Sequence, residues 1–149
     1  MKNDKQAVFL LVEDDETDAK IINETFKKSN ILNNLHVVYG GEEALSYLYN
    51  RDEYSDSDSF PTPDLIFLDI KMPKINGFDI LKNLSGDENL KNIPVIMLTT
   101  SIRGDDVDKS FKYGAMDYII KPITVPKIFN AMKKLDFGCA FYRPLFPEY

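Results

Sequence analysis

The sequence predicts an α/β fold built on a doubly wound, five-stranded parallel sheet. Four short apolar runs, at residues 8–12 (VFLLV), 65–68 (LIFL), 95–98 (VIML) and 118–120 (YII), are continuous rather than alternating. Strands buried on both faces of a parallel sheet have that pattern. Helical spacing fills the stretches between them, and strand–helix alternation implies right-handed crossovers and three layers. The 149 residues suit one compact domain.

Each element has its own signal. After the first run, Ala19, Ile22 and Phe26 are spaced as one helix face, preceded by the polar start 15–18 (DETD). A weaker strand is expected at 36–39 (HVVY). Ala44, Leu45 and Leu48 form a second helical stripe, and Phe78, Leu81 and Leu84 a third. A fourth helix is expected over 105–113, ended by Gly114, and Thr124 can cap a fifth running to about 135. No internal repeat is visible.

Composition excludes several functions. Eighteen basic against twenty-four acidic residues give a net charge of −6, which repels phosphate backbones and anionic lipid. Nucleic acid and membrane are therefore not expected partners. A single cysteine, Cys139, excludes a disulfide framework and a Cys-rich zinc module. The longest early apolar run, 7–12, is too short for a signal peptide or a membrane span, so a cytoplasmic location is expected.

The domain is expected over 1–136, with two segments outside the minimal plan. Residues 51–63 (RDEYSDSDSFPTP) read as a long, solvated, acidic loop, lacking the Gly and distal Glu of a calcium loop. Residues 137–149 form a tail with five aromatic residues, too apolar for a free coil. Packing on its own domain and burial in a dimer or partner interface are both open for it. His36 and Cys139 are read as structural.

In an open parallel sheet, ligands bind outside the carboxyl ends of the strands. Just past the apolar runs stand Glu13, Asp14 and Asp15, then Asp69, then Thr99, Thr100 and Ser101, then Lys121. Clustered carboxylates without His or Cys suit a hard, oxygen-loving ion, Mg²⁺ before Zn²⁺. A lysine and a hydroxyl can hold phosphoryl oxygens, and an aspartate beside such an ion is a competent nucleophile towards an activated phosphate. Asp69, ending the central strand, is the best-placed nucleophile.

These residues carry a resemblance. The segment Asp69-Ile-Lys-Met72-Pro73-Lys-Ile-Asn-Gly77 is similar to the DxxMPxxxG signature of response-regulator receiver domains, the phospho-acceptors of two-component signalling. The acidic run, the Thr 30 residues after Asp69 and the Lys 22 residues further on, followed by Pro122, agree in order and spacing. The likeness covers residues from about 7 to 135. The long loop and the 98–101 segment (LTTS) resemble stand-alone regulators that partner phytochrome-type kinases.

The resemblance implies a flavodoxin-like (βα)5 fold with strand order 2-1-3-4-5. It implies that Asp69 accepts a phosphoryl group from a sensor histidine kinase. Mg²⁺ would be held by Glu13, Asp14, Asp69 and the backbone carbonyl of Lys71; Glu13 stands where aspartate is usual. Lys121 would pair with a phosphoryl oxygen, and the following Pro122 often has a cis peptide. Thr99 would be the switch hydroxyl, with Thr100 beside it narrowing access, and Tyr118 the aromatic that swings inward when Thr99 moves. Output would come from binding another protein or passing the phosphoryl group along a relay. No enzymatic turnover is expected. The rivals are a receiver-like scaffold that works without phosphate and a Mg²⁺-dependent aspartyl-phosphate phosphatase. Lys71 stands where the phosphatase needs a second Asp.

Overall fold

The computed structural model describes residues 7–29, 33–100 and 103–134. Ser101, Cys139 and the tail 137–149, singled out above, lie outside the described residues.

Strands β1 (Ala7–Val12), β2 (Asn33–Val38), β3 (Leu65–Asp69), β4 (Val95–Thr99) and β5 (Asp117–Ile120) form one parallel sheet in the order β2-β1-β3-β4-β5. This is the expected order 2-1-3-4-5. Helices α1 (Glu16–Lys28), α2 (Gly41–Leu48), α3 (Gly77–Ser85), α4 (Gly104–Lys112) and α5 (Val125–Lys133) connect or follow the strands. Among the described residues, no helix is long and apolar enough to cross a membrane.

The apolar runs are continuous because the sheet is covered on both faces. Phe9, Leu11, Leu65, Phe67, Ile96, Leu98 and Ile119 pack against α1 and α5 through Ile22, Phe26, Ile128 and Met132. Phe9, Phe26 and Phe67 meet edge to face with centroids 5.0–5.9 Å apart. Such pairs add about 1 kcal/mol each beyond area burial. The alternate residues, Leu10, Val12, Ile66, Leu68, Val95 and Met97, pack towards α2 and α3 through Ala44, Tyr47, Ile80, Leu81 and Leu84.

Local chemistry fixes the helix starts. Asp15 caps α1 by accepting the amide hydrogen of Asp18 at 2.9 Å. Asn76 and Asp79 form a reciprocal capping box at α3, and Thr124 caps α5. Gly114, at φ +109°, follows α4 in a conformation L side chains rarely adopt.

Three details differ from the sequence reading. Strand β2 starts at Asn33 and ends at Val38, leaving Tyr39 half exposed outside it. Pairing with β1 from Ala7 onward recruits 33–35, which carry little apolar signal of their own. His36 is therefore inside the strand, its ring 5.5 Å from Tyr47 and 6.0 Å from Phe60.

The 51–63 segment is not uniformly solvated. A 3-10 turn at Asp52–Tyr54 buries Tyr54, which donates its hydroxyl to Glu43 on α2 and packs on Phe60 with centroids 4.9 Å apart. Asn50 bridges the segment by donating to the carbonyls of Tyr54 and Phe60 at 2.9 and 3.0 Å. Its serines and aspartates, 55–59, are exposed.

Candidate functional site

The site is a continuation of strand periodicity. Leu11, Phe67 and Ile119 point into the α1/α5 layer. Two residues beyond each stand Glu13, Asp69 and Lys121, so the period of two aims all three towards the same side. The ladder extends that far: the Glu13 amide donates to the Val38 carbonyl at 3.1 Å, and the Lys121 amide to the Thr99 carbonyl at 2.7 Å. The Lys121–Pro122 peptide is cis.

A glycine lets the loop after Asp69 fold back. The Gly77 amide donates to the Ile70 carbonyl at 2.8 Å. A Cβ at Gly77 would lie 2.4 Å from the Asp69 carbonyl oxygen and 2.9 Å from the Ile70 Cα. Both are backbone atoms, so only glycine fits. The last position of DxxMPxxxG thus seats the start of α3 against the backbone of Asp69 and Ile70. Met72 is buried in the core below, while Pro73 is exposed.

The side chains converge on a cleft of about 210 Å³ lined by Glu13, Asp14, Asp15, Asp18, Asp69, Lys71, Thr99, Thr100 and Lys121. The Lys121 ammonium donates to Glu13 Oε1 at 2.6 Å and to Asp18 Oδ2 at 3.1 Å. It also pairs with Asp69 Oδ1 at 3.3 Å. One carboxylate oxygen from each of Glu13, Asp14 and Asp69 lies within 4.8 Å of the others. A single ammonium faces more negative charge than it can neutralise.

Electrostatics follow from this crowding. Burial first, and the neighbouring Glu13 charge second, push the Asp69 carboxyl up to about 7 against the opposing pull of Lys121. Burial works against the charged Lys121, but the hydrogen bonds to Glu13 and Asp18 and the charges of Asp69 and Glu13 outweigh it, leaving its pKa above the usual lysine value. The donor set is all oxygen, of mixed burial and excess negative charge, which fits a hard divalent cation such as Mg²⁺.

Thr99 ends β4, buried at the cleft floor, and Thr100 is exposed beside it. Tyr118 pairs in register with Met97, two residues before Thr99, and packs on the same α2/α3-side core. Its ring also meets Phe111 of α4 edge to face at 5.9 Å. Thr99 and Tyr118 therefore share one face of adjacent strands. Lys71 lines the cleft.

Two predicted acids separate in role. Asp14 stays with the metal-competent set, whereas Asp15 uses its carboxylate to cap α1. His36 lies outside the cleft; its Nε2 is buried without a hydrogen-bond partner among the described residues, and burial lowers its pKa. Asp18 was missed as a site residue because sequence marks it only as part of a polar helix start. The short link between Glu13 and α1 was the available signal, since it leaves the first helical turn beside the strand end.

Comparison with known proteins agrees with this geometry. The model of the response regulator receiver domain matches residues 9–133. The response regulator Rcp1 of Synechocystis sp. is 34% identical over 129 residues, covering 87% of this chain and 86% of that protein. The crystal structure of its Mn²⁺-bound form superposes with a TM-score of 0.72 at 31% identity, over 95% of this chain and 99% of that one. The bacteriophytochrome response regulator RtBRR gives a TM-score of 0.81 at 31% identity, over 97% of this chain and 84% of its own. The phosphorylated cyanobacterial phytochrome response regulator RcpA gives 0.73 at 34% identity, over 87% and 90%. On matched length, fold and signature together, the chain belongs to the response regulator receiver domain family.

Proposed function

We propose that the protein is a phosphorylation-controlled switch whose acceptor is Asp69. An Asp69 carboxylate oxygen attacks the phosphorus of a kinase phosphohistidine. A P–O bond forms, the P–N bond breaks, and the imidazole nitrogen keeps the electron pair and takes up a proton. Glu13, Asp14, Asp69 and the Lys71 carbonyl would hold Mg²⁺, which would supply positive charge to the phosphoryl oxygens. Lys121 neutralises the same oxygens from the other side. The carrying observation is the convergence of Asp69, Glu13, Asp14 and Lys121 at one strand edge, with one ammonium for three carboxylates.

The phosphoryl group adds roughly −1.5 to −2 charge and strong acceptor oxygens. The Thr99 hydroxyl moves to donate to it, vacating space on the face it shares with Tyr118. Tyr118 turns inward, leaves Phe111 and reshapes the α4–β5 surface, a two-state equilibrium biased by phosphorylation. Downstream output is protein binding or onward phosphotransfer, and the chain turns over no external substrate. The names of RtBRR and RcpA support a phytochrome-type sensor kinase as the donor. The protein acts in the cytoplasm.

The test is intact-protein mass after incubation with acetyl phosphate and Mg²⁺, beside Asp69→Asn and a chelator control. One added phosphoryl group, absent from both controls, is the expected result. No adduct despite demonstrated Mg²⁺ binding overturns the proposal in favour of a phosphate-independent scaffold. Repeated hydrolysis of a small phosphoester points instead to a phosphatase.

A further inference from the structure

The Lys121 ammonium has three hydrogens and three carboxylate partners, Glu13 at 2.6 Å, Asp18 at 3.1 Å and Asp69 at 3.3 Å. Donating to a phosphoryl oxygen on Asp69 requires one of these contacts to loosen. Glu13 and Asp69 belong to the metal-competent group, whereas Asp18 does not. Asp18 comes from a different element, the first turn of α1, where its amide is held by the Asp15 cap at 2.9 Å. Its position is therefore fixed by the helix start rather than by the cleft contents.

We propose that Asp18 is a positioning residue that holds Lys121 towards α1 and so competes with the phosphoryl group for it. This rests on the phospho-acceptor reading of Asp69. In the unphosphorylated protein the bond draws the ammonium towards α1. Once the phosphoryl group is present, the same bond opposes full transfer of the lysine to it. Asp18 thereby lowers the fraction phosphorylated at a given donor concentration. The side chain is 42% exposed, which keeps the contact weak enough to yield.

The experiment compares wild type, Asp18→Asn, Asp18→Glu and Glu16→Gln in an acetyl phosphate titration at saturating Mg²⁺, read by intact mass. Glu16 is an exposed acid of the same helical turn, absent from the ion pairs of Lys121, and controls for charge alone. Asp18→Asn is expected to reach half-labelling at about two- to fivefold less acetyl phosphate. Asp18→Glu should move back towards wild type, and Glu16→Gln should match it. Equal titrations for wild type and Asp18→Asn, or equal shifts in Asp18→Asn and Glu16→Gln, overturn the inference.

A second readout separates this inference from the function it builds on. Reductive methylation of Lys121, followed by peptide mass in the absence of any phosphodonor, should proceed several-fold faster in Asp18→Asn. If wild type takes no label, the phospho-acceptor reading falls, and the methylation rate still decides the tether. A raised rate upholds it and an unchanged rate overturns it.

Discussion

The Glu13 carboxylate and the Lys121 ammonium lie 2.6 Å apart although 108 residues separate them, and the Glu13 side chain is only 1% exposed. The pair joins the end of β1 to the end of β5 across β3, where Asp69 sits, and β4. It compensates burial of one carboxylate and leaves Asp69 short of positive charge. Removing one partner of a buried ion pair strands the other, so the cluster must be considered together.

The raised Asp69 carboxyl should destabilise the metal-free protein at neutral and higher pH. Its folded carboxyl titrates near 7 against 3.8 in the reference state. Folding therefore takes up a proton between those values, and stability falls as pH rises from about 4 to about 7. Asp69→Asn removes that slope. With chelator present, urea unfolding should show the variant more stable than wild type by on the order of 2 kcal/mol at pH 8 and nearly equal at pH 4.5. A constant difference at both values contradicts the raised carboxyl.

Mg²⁺ should reverse that ranking. A cation held by Glu13, Asp14 and Asp69 competes with the proton on Asp69 and binds only the folded state. Adding Mg²⁺ should raise the melting temperature of wild type at pH 8, much less at pH 5, and little in Asp69→Asn. Equal rises in all three conditions would place the ion elsewhere.

Gly77→Ala tests the contact that seats the loop after Asp69. Its Cβ meets backbone at 2.4 Å, and backbone cannot rotate away. A loss of about 3 kcal/mol in unfolding free energy is expected, together with weaker Mg²⁺ binding as Asp69 is displaced. Gly86→Ala, where the nearest atom is at 3.6 Å, should be tolerated.

The Tyr54 anchor gives a local prediction. Tyr54→Ala should cost about 3 kcal/mol by emptying the space between Tyr47 and Phe60. Tyr54→Phe, which loses only the bond to Glu43, should cost about 1 kcal/mol. Hydrogen exchange across 51–63 should accelerate in the alanine variant while the β3 and β4 amides stay protected.

The absence of tryptophan makes Tyr118 reportable. In Tyr118→Trp, the sole tryptophan should shift its emission to the blue on phosphorylation as the ring turns inward. Adding Thr99→Ala should abolish the shift while leaving a phosphoryl adduct detectable by mass. A shift that survives in the double variant would uncouple the two residues.

Much of this was readable before any coordinates, for a physical reason. Short continuous apolar runs alternating with helical stripes read as strands covered on both sides, and topology then sends their next residues to one edge, which placed Glu13, Asp69, Thr99 and Lys121. What stayed hidden depended on contacts between distant segments. Asp18 looks like any acid in a first helical turn until α1 is docked beside Lys121. Tyr54 and Phe60 look like loop aromatics until Glu43 and Tyr47 arrive from α2. The extension of β2 back to Asn33 comes from pairing with β1, not from its own composition.

The sheet order also sets when the cluster can exist during synthesis. Glu13, Asp14 and Asp69 emerge from the ribosome long before Lys121, the only cation paired with them among the described residues. A nascent chain that has exposed β1 and β3 but not β5 carries three neighbouring carboxylates without the Lys121 ammonium that pairs with Glu13 and Asp69. The half-made sheet is thus electrostatically penalised until its last strand docks.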